Sequence, residues 1–330
     1  MAHGQLKDQW GRVARKLRVS LTDRCNLRCQ YCMPEAGLNW QAREEILSFE
    51  EIFRLLTIFA ELGIEEIRLT GGEPLLRKDL EILLSQIQSL HFKKVSLTSN
   101  GILLPEKMPA LYQAGLRSFN ISLDSLLPER FAKITRRDDY QRVLAGLNCL
   151  DRYPDLEIKL NTVMIRGFND DEALSFARLA RERNWAIRFI EFMPLGQGDG
   201  WLPQEVVKGA ELKAQIEAEF RLVAVEAAGK NPASRWHFAD GSPGEIGFIN
   251  AVSEPFCHSC NRIRLTADGY LRNCLFSSQE LNLKTPLRQQ ATSTELTNLI
   301  CDWVWQKEAG HQINQIGFER PLRSMSQIGG

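Results

Sequence analysis

Three cysteines with the spacing of a metal-cluster site lie near the start of the chain, in RVSLTDRCNLRCQYCMP. Cys25, Cys29 and Cys32 form a C-x3-C-x2-C pattern. Iron–sulfur clusters are held by cysteine thiolates, normally one for each cluster iron, so three thiolates leave one iron of a four-iron cluster open to a small molecule. The alternative is a zinc ion completed by a histidine or a distant cysteine, although C-x3-C is less usual than C-x2-C at structural zinc sites.

A second set of three cysteines lies far along the chain, in FCHSCNRIRLTADGYLRNCLF. Cys257 and Cys260 form a C-x2-C pair, and Cys274 follows after 13 residues. From spacing alone, zinc and an iron–sulfur cluster have equal weight at this set. A C-x2-C pair followed by a hairpin is a common zinc layout, and His258 lies between the two thiols.

Basic residues interrupt apolar segments that have the character of β-strands, as in IRLT, IKLN and IRFI. Because successive side chains of a strand point to opposite faces, these cations are directed away from the apolar face and toward the lumen of a barrel. Arginine suits phosphate groups because its planar guanidinium donates hydrogen bonds in pairs. Any one of these cations alone is more often a solvated surface charge, so the prediction depends on the set. The candidate phosphate-binding residues are Arg18, Arg68, Lys159, Arg188, Arg262 and Arg264.

The elements that must position these side chains alternate between strands and helices. One intervening segment, SFEEIFRLLTIFAELG, has helical periodicity, with Ser48 and Glu51 as a capping box and Gly63 as a stop. Repeated β-then-α units indicate parallel strands with crossover helices, and six units suit an α/β fold built as an incomplete (β/α)6 TIM-like barrel. The six predicted strands are 17–22, 65–70, 93–98, 118–123, 157–164 and 186–193.

Chemistry in such a barrel gathers at the carboxyl ends of the strands. Cys25, GGEP, SNG and Asp124 each follow a predicted strand, so we expect them to share one face. After Pro194 the alternation gives way to the glycine-rich LGQGDGW, a helix, and short strands with a hairpin turn at ADG. This change predicts two regions: a partial barrel at 1–195 and a C-terminal region at 196–330 that carries the second cysteine set.

Charge balance and the lack of long apolar runs limit the classes of function. The 330 residues contain 41 Lys and Arg and 41 Asp and Glu, which argues against binding to nucleic acid or to a membrane through bulk charge. No apolar run approaches the ~20 residues of a membrane span, and no signal peptide is evident, so we expect a cytoplasmic protein. Its eight cysteines are then expected to be metal ligands or buried thiols rather than disulfides. Cys149 and Cys301 lie in apolar helical contexts and are predicted to be core thiols.

The first cysteine motif, with Tyr31 directly before its third cysteine, resembles the signature of the radical S-adenosylmethionine superfamily. GGEP, residues 71–74, resembles the turn of that superfamily whose backbone approaches the methionyl amino group. The same two segments, with SLDS, the second cysteine segment and the terminal MSQIGG, resemble the GTP 3′,8-cyclase family of molybdenum cofactor biosynthesis. The resemblance runs from about Leu17 to Gly330.

The resemblance implies a reaction and its cofactors. It implies two [4Fe–4S] clusters, one on each cysteine set. At the first, S-adenosylmethionine fills the open iron site, and an electron from the cluster cleaves the sulfonium to give a 5′-deoxyadenosyl radical; the second touches the substrate guanine. The implied reaction converts GTP to 3′,8-cyclo-7,8-dihydro-GTP, with hydrogen taken from ribose C3′ and a bond formed to guanine C8. A low-potential electron donor of flavodoxin or ferredoxin type and a homodimer are also expected.

The resemblance also assigns roles to individual residues. Catalytic roles fall to Arg18 and to Gly329 and Gly330, whose lack of side chains would let the end of the chain thread into the active site. One departure from the family is Glu66, where a lysine is expected; a carboxylate there would weaken phosphate binding or pair with a neighbouring cation. S-adenosylmethionine contacts fall to Tyr31, Gly72, Ser122 and Met193. GTP contacts fall to Arg18, Arg68, Thr98, Lys159, Arg188, Arg262, Ile263 and Arg264.

Two other classes of function remain open from the residues alone. Another radical enzyme with an auxiliary cluster, such as a peptide-modifying one, would share the first motif but has no evident need for the basic residues or the Gly-Gly end. A non-enzymatic zinc protein would need only the thiols.

Overall fold

The computed structural model describes residues 5–195, 201–226, 232–313, 315 and 317–329 of the chain. Within these residues, twelve strands form one sheet and ten segments are α-helical. The strands are β1 (Lys16–Ser20), β2 (Glu66–Thr70), β3 (Lys94–Ser99), β4 (Ser118–Ser122), β5 (Glu157–Met164), β6 (Ala186–Glu191), β7 (Leu222–Ala224), β8 (Ser234–Phe238), β9 (Glu245–Ile249), β10 (Arg262–Leu265), β11 (Tyr270–Arg272) and β12 (Leu281–Asn282). The helices are α1 (Phe49–Glu61), α2 (Leu80–Ile87), α3 (Leu104–Gln113), α4 (Pro128–Thr135), α5 (Tyr140–Leu150), α6 (Ala173–Arg183), α7 (Gly209–Glu217), α8 (Lys284–Arg288), α9 (Ser293–Trp305) and α10 (Met325–Ile328).

Strands β1 to β6 lie side by side in chain order, and each neighbouring pair is parallel. Helices α1 to α6 form the crossovers between them, and α7 follows β6. All six strands predicted from the sequence are present, with ends that differ from the prediction by at most two residues. The predicted incomplete (β/α)6 TIM-like barrel is confirmed.

The first crossover shows how local sequence sets these elements. Ser48 accepts a hydrogen bond from the backbone N–H of Glu51, and the Glu51 carboxylate accepts from the Ser48 N–H at 2.8 Å, so the predicted capping box starts α1. Gly63, with φ of +84°, takes the left-handed conformation that follows the helix end. Burying an apolar side chain of this size stabilises the fold by about 1.5–3 kcal/mol. The buried apolar residues of α1 are Ile52, Leu55, Leu56, Ile58 and Phe59.

The C-terminal region extends the same sheet at both edges. β9 pairs in parallel with β6, and β10 pairs in parallel with β1, so eight consecutive strands are parallel. The outer strands are antiparallel, with β8 and β7 beyond β9 and with β11 and β12 beyond β10. The division near residue 196 stays a prediction, since the chain on both sides of it contributes to one sheet.

The main hydrophobic core combines side chains from the strands and from the helices. Cys149 is buried in this core and Cys301 packs against it, as the sequence predicts for core thiols. In the part of the chain that the structure describes, every helix is too short or too polar to cross a membrane.

Candidate active site

Two cavities meet inside the barrel. The first, of about 280 Å³, contains the loops at the carboxyl ends of the strands and is lined by all six cysteines of the two predicted sets. The second, of about 740 Å³, lies toward the amino ends of the strands. Since several residues line both, one elongated ligand can extend from the first cavity into the second. The shared residues are Arg18, Arg68, Asn161, Ile249 and Arg262.

The first cysteine set lies on the loop after β1. Cys25, Cys29 and Cys32 are free, half-buried thiols that line the first cavity, and the Leu27 N–H approaches Cys25 Sγ at 3.4 Å. Burial, with the nearby carboxylate of Glu73, raises the pKa of Cys25 to about 11, and burial raises the pKa of Cys32 to about 12. Such thiols suit a metal centre, because coordination replaces the thiol proton and neutralises part of the thiolate charge.

The donor chemistry of the two cysteine sets is that of an iron–sulfur site. Within the described residues, no three His, Cys, Asp or Glu side chains are placed to hold one metal ion. Iron–sulfur clusters are held by cysteine thiolates, and the three thiols of each set line the first cavity. Each set therefore offers the three thiolates that a four-iron cluster with one free iron would take.

The GGEP turn after β2 packs directly on the loop that carries the first cysteine set. Gly72 donates its N–H to the carbonyl oxygen of Thr22 at 2.7 Å, and a Cβ at this position would lie 2.2 Å from the carbonyl oxygen of Arg24. Glu73 is buried, which raises its pKa to about 7, and it accepts from the backbone N–H of Asn100 at 2.8 Å. Because a side chain at position 72 would clash with backbone, the turn brings main-chain groups to the cavity wall.

Tyr31 connects the first cysteine loop to the residues that follow β4. Its hydroxyl donates to Asp124 Oδ2 at 2.7 Å, and the Val163 N–H donates to Asp124 Oδ1 at 2.8 Å. Burial raises the pKa of Asp124 to about 6. The residues that the sequence assigns to S-adenosylmethionine all line the first cavity: Tyr31, Gly72, Ser122 and Met193.

Four arginines line the first cavity without a direct ion-pair partner among the described residues: Arg18, Arg68, Arg262 and Arg264. The pairing of β10, β1 and β2 places Arg264, Arg18 and Arg68 side by side in register. Burial first, and then the neighbouring guanidinium groups, lower the pKa of Arg18. The same two causes lower the pKa of Arg68 to about 10 and that of Arg264 to about 9. Crowded buried cations repel one another, so this row favours a bound polyanion.

The other predicted cations of the lumen already have partners. Lys159 pairs with Glu157 on its own strand, and Arg188 pairs with Glu245 of β9. Each would have to give up part of that interaction to bind a phosphate group. The unexpected carboxylate at Glu66 is also paired, with Lys16 Nζ at 2.8 Å.

Of the two uncharged residues that the sequence analysis assigns to GTP, Thr98 lines the first cavity and Ile263 lines neither cavity. Thr98 lines the first cavity, and its Oγ1 is buried without a hydrogen-bond partner among the described residues, which leaves it available to a ligand. The side chain of Ile263 is instead packed in the hydrophobic core, because alternate residues of β10 point to opposite faces. The structure therefore separates this side chain from its neighbours Arg262 and Arg264.

The second cysteine set flanks the hairpin of β10 and β11. Cys257 and Cys260 precede β10, Cys274 follows β11, and all three line the first cavity as free thiols. Burial raises the pKa of Cys260, but the charges of Lys307 and Arg262 outweigh this effect and lower the pKa to about 7. This thiol therefore differs from those of the first set, whose pKa values are raised.

Two polar atoms beside the second set lack partners within the described residues. They are Asn273 Oδ1 and His311 Nδ1, both buried, and both residues line the first cavity. Buried polar atoms are normally hydrogen-bonded, so two unpartnered atoms on residues of the cavity wall are candidates for contact with a polar ligand.

The end of the chain enters the barrel. Gly329 is buried with φ of +88°, and Arg264 Nη1 donates to its carbonyl oxygen. A Cβ at Gly329 would lie 2.5 Å from Thr70 Oγ1 and 3.2 Å from Ser20 Cβ. Gly330, assigned a catalytic role above, lies outside the described residues.

Several polar residues of the first cavity received no role in the sequence analysis, among them Asn100, Asn161 and His311. Asn161 alternates with the apolar residues of EIKLNTVM, a signal that could have placed it on the lumen face. Asn100 follows β3 in SNG, at the end of the strand where chemistry gathers. His311 lies in an irregular segment without a periodic pattern, so no sequence signal identifies it.

Two family profiles match the chain. Residues 19–180 match the Radical SAM superfamily, and residues 185–313 match Molybdenum Cofactor Synthesis C. The chain is 44% identical over 329 residues to a GTP 3′,8-cyclase of Streptomyces coelicolor, and the match covers 98% of this chain and 96% of that protein. It is 43% identical to a GTP 3′,8-cyclase of Syntrophomonas wolfei, over 98% of this chain and 99% of that protein. The chain belongs to the GTP 3′,8-cyclase family.

As a member of the GTP 3′,8-cyclase family, the chain is a radical S-adenosylmethionine enzyme, and membership implies a [4Fe–4S] cluster and S-adenosylmethionine. Two solved structures share the fold of this chain at 14% sequence identity. Streptococcus suis SuiB bound to S-adenosylmethionine matches with a TM-score of 0.61 and 14% identity, over 94% of this chain and 76% of that one. Native anSMEcpe with bound AdoMet matches with a TM-score of 0.55 and 14% identity, over 93% of each chain.

Proposed function

We propose that this chain converts GTP to 3′,8-cyclo-7,8-dihydro-GTP, an early step of molybdenum cofactor biosynthesis. The observation that carries the proposal is the set of four arginines without ion-pair partners beside two sets of three thiols in one cavity. A polyanionic substrate and a radical cofactor would share one enclosed lumen. Relatives named GTP 3′,8-cyclase support the same conclusion.

The triphosphate would bind along the row of arginines. Arg18, Arg68 and Arg264 are neighbours in register across three strands, so their guanidinium groups can contact successive phosphates. Arg262 lines both cavities and extends this row toward the larger one. Lys159 and Arg188 line the larger cavity and would add cations there after exchanging their carboxylate partners, and Thr98 would donate its unpaired hydroxyl.

The first cysteine set would hold the cluster to which S-adenosylmethionine binds. When bound, this pair supplies the radical that removes hydrogen from ribose C3′, so that C3′ can bond to guanine C8. Gly72 lines the cavity, where backbone groups of its turn would bind the methionyl amino group, with Ser122 and Met193 in the same wall. Tyr31, held by Asp124, fixes the loop between the second and third cysteines. The role of these residues is orientation and exclusion of water.

The second cysteine set would hold a second [4Fe–4S] cluster whose free iron meets the guanine. The unpaired Asn273 Oδ1 and His311 Nδ1 in the same wall support this, because a guanine edge presents both donors and acceptors. Contacts at both ends of the nucleotide would fix C8 near C3′.

Gly329 and Gly330 would act in catalysis together with Arg18. The contact between Arg264 and the Gly329 carbonyl places the end of the chain among the substrate-binding arginines, where a side chain would clash. The proposal also includes a low-potential electron donor of flavodoxin or ferredoxin type and a homodimer, which rest on the family resemblance alone, and action in the cytoplasm.

An anaerobic assay tests the proposed function. Iron-reconstituted protein is incubated with GTP, S-adenosylmethionine and dithionite, and nucleotides are separated by chromatography and identified by mass spectrometry. We expect the cyclised nucleotide together with 5′-deoxyadenosine, and neither from the matched variant with Cys25, Cys29 and Cys32 replaced by alanine. Formation of 5′-deoxyadenosine with GTP unchanged under all conditions would contradict the proposal.

A further inference from the structure

Lys307 is a buried lysine behind the second cysteine set. Only 3% of its surface is exposed, and it lies just after the end of α9. Its Nζ donates to the carbonyl oxygen of Arg262 at 2.7 Å and to that of Cys260 at 3.3 Å, and it approaches Cys260 Sγ at 3.5 Å. An ammonium group has three donors, so these three acceptors account for all of them.

Lys307 has no carboxylate partner among the described residues. Burying an ammonium group is costly unless a negative group compensates its charge. Buried Arg272 of the β10–β11 hairpin follows this pattern, since it pairs with Glu280, whereas buried Arg264 has no carboxylate partner among the described residues and donates to the Gly329 carbonyl oxygen instead. The negative partner of Lys307 is therefore the sulfur of Cys260, which carries a charge when it is a thiolate ligand.

The position of Lys307 is imposed by the chain around it. Its carbonyl oxygen accepts from Trp10 Nε1 at 3.0 Å, which ties the end of α9 to the N-terminal segment. In the same segment, buried Arg12 donates to the carbonyl oxygens of Cys257 at 2.8 Å and Ala309 at 2.7 Å. The cysteine loop and the backbone of Lys307 are thus fastened to a common support, and the hydrogen bonds of Nζ to the carbonyl oxygens of Arg262 and Cys260 hold the ammonium group beside the sulfur.

The charges around Cys260 differ from those around the first cysteine set. The first set lies near the carboxyl groups of Glu73 and Asp124. Cys260 has the ammonium group of Lys307 3.5 Å from its sulfur and lies near Arg262, although Glu308 lies near Cys274 of the same set. Positive charge and hydrogen bonds to sulfur stabilise the more negative, reduced form of an iron–sulfur cluster.

We propose that Lys307 is a positioning residue of the second cysteine set, which donates to Cys260 Sγ and raises the reduction potential of the cluster bound there. This rests on the proposed function, which places a cluster at that set. The two clusters of one cavity then differ in potential, with the lower value at the first set. A cluster that binds substrate is thereby kept electronically distinct from one that delivers an electron to S-adenosylmethionine.

The test measures the second cluster alone. In protein with Cys25, Cys29 and Cys32 replaced by alanine, only the second set can bind iron, and its midpoint potential is followed by EPR during a redox titration. We expect Lys307→Met to make the midpoint potential more negative. The expected change in the equilibrium constant for reduction is about tenfold, which corresponds to 59 mV for one electron. Lys307→Arg, which keeps the charge, should restore most of the difference. The exposed Lys208→Met serves as the matched control and should change nothing.

Each outcome is decisive. An unchanged potential in Lys307→Met with full iron content would overturn the proposal. If Lys307→Met loses iron while Lys307→Arg keeps it, the positive charge is needed to hold the cluster, and the proposal is supported. If both variants are folded but lose iron, only the exact fit of lysine matters, and the proposal is contradicted. If the protein that lacks the first cysteine set and keeps Lys307 binds no cluster, the result contradicts the proposed second cluster itself.

Discussion

The lack of an ion-pair partner distinguishes four arginines from the other cations of the lumen. Arg18, Arg68, Arg262 and Arg264 line the cavity with no carboxylate partner among the described residues, whereas Lys159 and Arg188 are already paired. The sequence identifies all six as candidates through their alternation within apolar strands. It cannot separate the two groups, because Glu245 reaches Arg188 only through the pairing of β9 with β6.

A single methyl group at Gly329 should impair turnover. A Cβ there would lie 2.5 Å from Thr70 Oγ1, and φ of +88° is unfavourable for alanine. We expect Gly329→Ala to lower product formation at least tenfold, equivalent to about 1.4 kcal/mol of barrier, with little change in cluster content or thermal stability. Anaerobic turnover, iron analysis and thermal denaturation measure the three quantities.

Gly317 provides the matched control for this variant. It has φ of +87°, but a Cβ there would contact nothing within 4 Å, so Gly317→Ala carries the same backbone cost without the clash. Equal activity in the two variants would show that the crowding at Gly329 has no catalytic consequence. A large loss of iron in Gly329→Ala alone would make the role of the tail structural.

Strand register explains the unexpected carboxylate at the floor of the lumen. Lys16 of β1 lies directly beside Glu66 of β2, and their charged groups are 2.8 Å apart. Both line the larger cavity, next to Arg18 and Arg68 two residues further along each strand. Lys16 thus presents a cation at the level where the sequence analysis expects a lysine on β2, and Glu66 pairs with it.

Removing this cation should weaken GTP binding. We expect Lys16→Ala to raise the KM for GTP about fivefold, or ~1 kcal/mol for a partly exposed charge, and Glu66→Gln to lower it by releasing Lys16. Arg15→Ala is the control, because it removes the same charge from the residue before β1, which lines neither cavity and pairs with Glu65. A KM that rises equally in Arg15→Ala and Lys16→Ala would mean that net charge, not position, is responsible.

The sequence predicts the elements of this fold better than their long-range pairing. Capping at Ser48 and alternation within each strand are local signals, so six strands and α1 are found within two residues of their ends. The pairing of β10 with β1 joins segments that are more than 200 residues apart and are linked by no local pattern. That pairing nevertheless creates the row of Arg264, Arg18 and Arg68.

Both cysteine sets line one cavity, although one lies near the start of the chain and the other in its last quarter. The barrel strands hold the first set, and the hairpin that closes one edge of the sheet holds the second. Under the proposed function, S-adenosylmethionine would lie at the first set while GTP reaches the second, with its triphosphate toward the larger cavity. The two sets would then have separable roles, radical generation and substrate positioning.

Loss of each cysteine set should have a different effect. Replacing Cys25, Cys29 and Cys32 with alanine should remove about half the iron and abolish cleavage of S-adenosylmethionine. Replacing the second set should also remove about half the iron, yet leave uncoupled cleavage of S-adenosylmethionine with a strong reductant while the cyclised nucleotide is lost. Iron analysis and quantification of 5′-deoxyadenosine distinguish the two variants, and normal product from protein lacking the second set would refute its role in positioning.

The most direct measurement follows the hydrogen that leaves the substrate. The reconstituted enzyme is given GTP carrying deuterium at ribose C3′, with S-adenosylmethionine and a strong reductant, and the 5′-deoxyadenosine formed is analysed by mass spectrometry. We expect it to carry one deuterium for each cyclised nucleotide produced, because the proposed reaction takes the hydrogen from ribose C3′. Cyclised nucleotide accompanied by unlabelled 5′-deoxyadenosine would contradict hydrogen abstraction from that carbon.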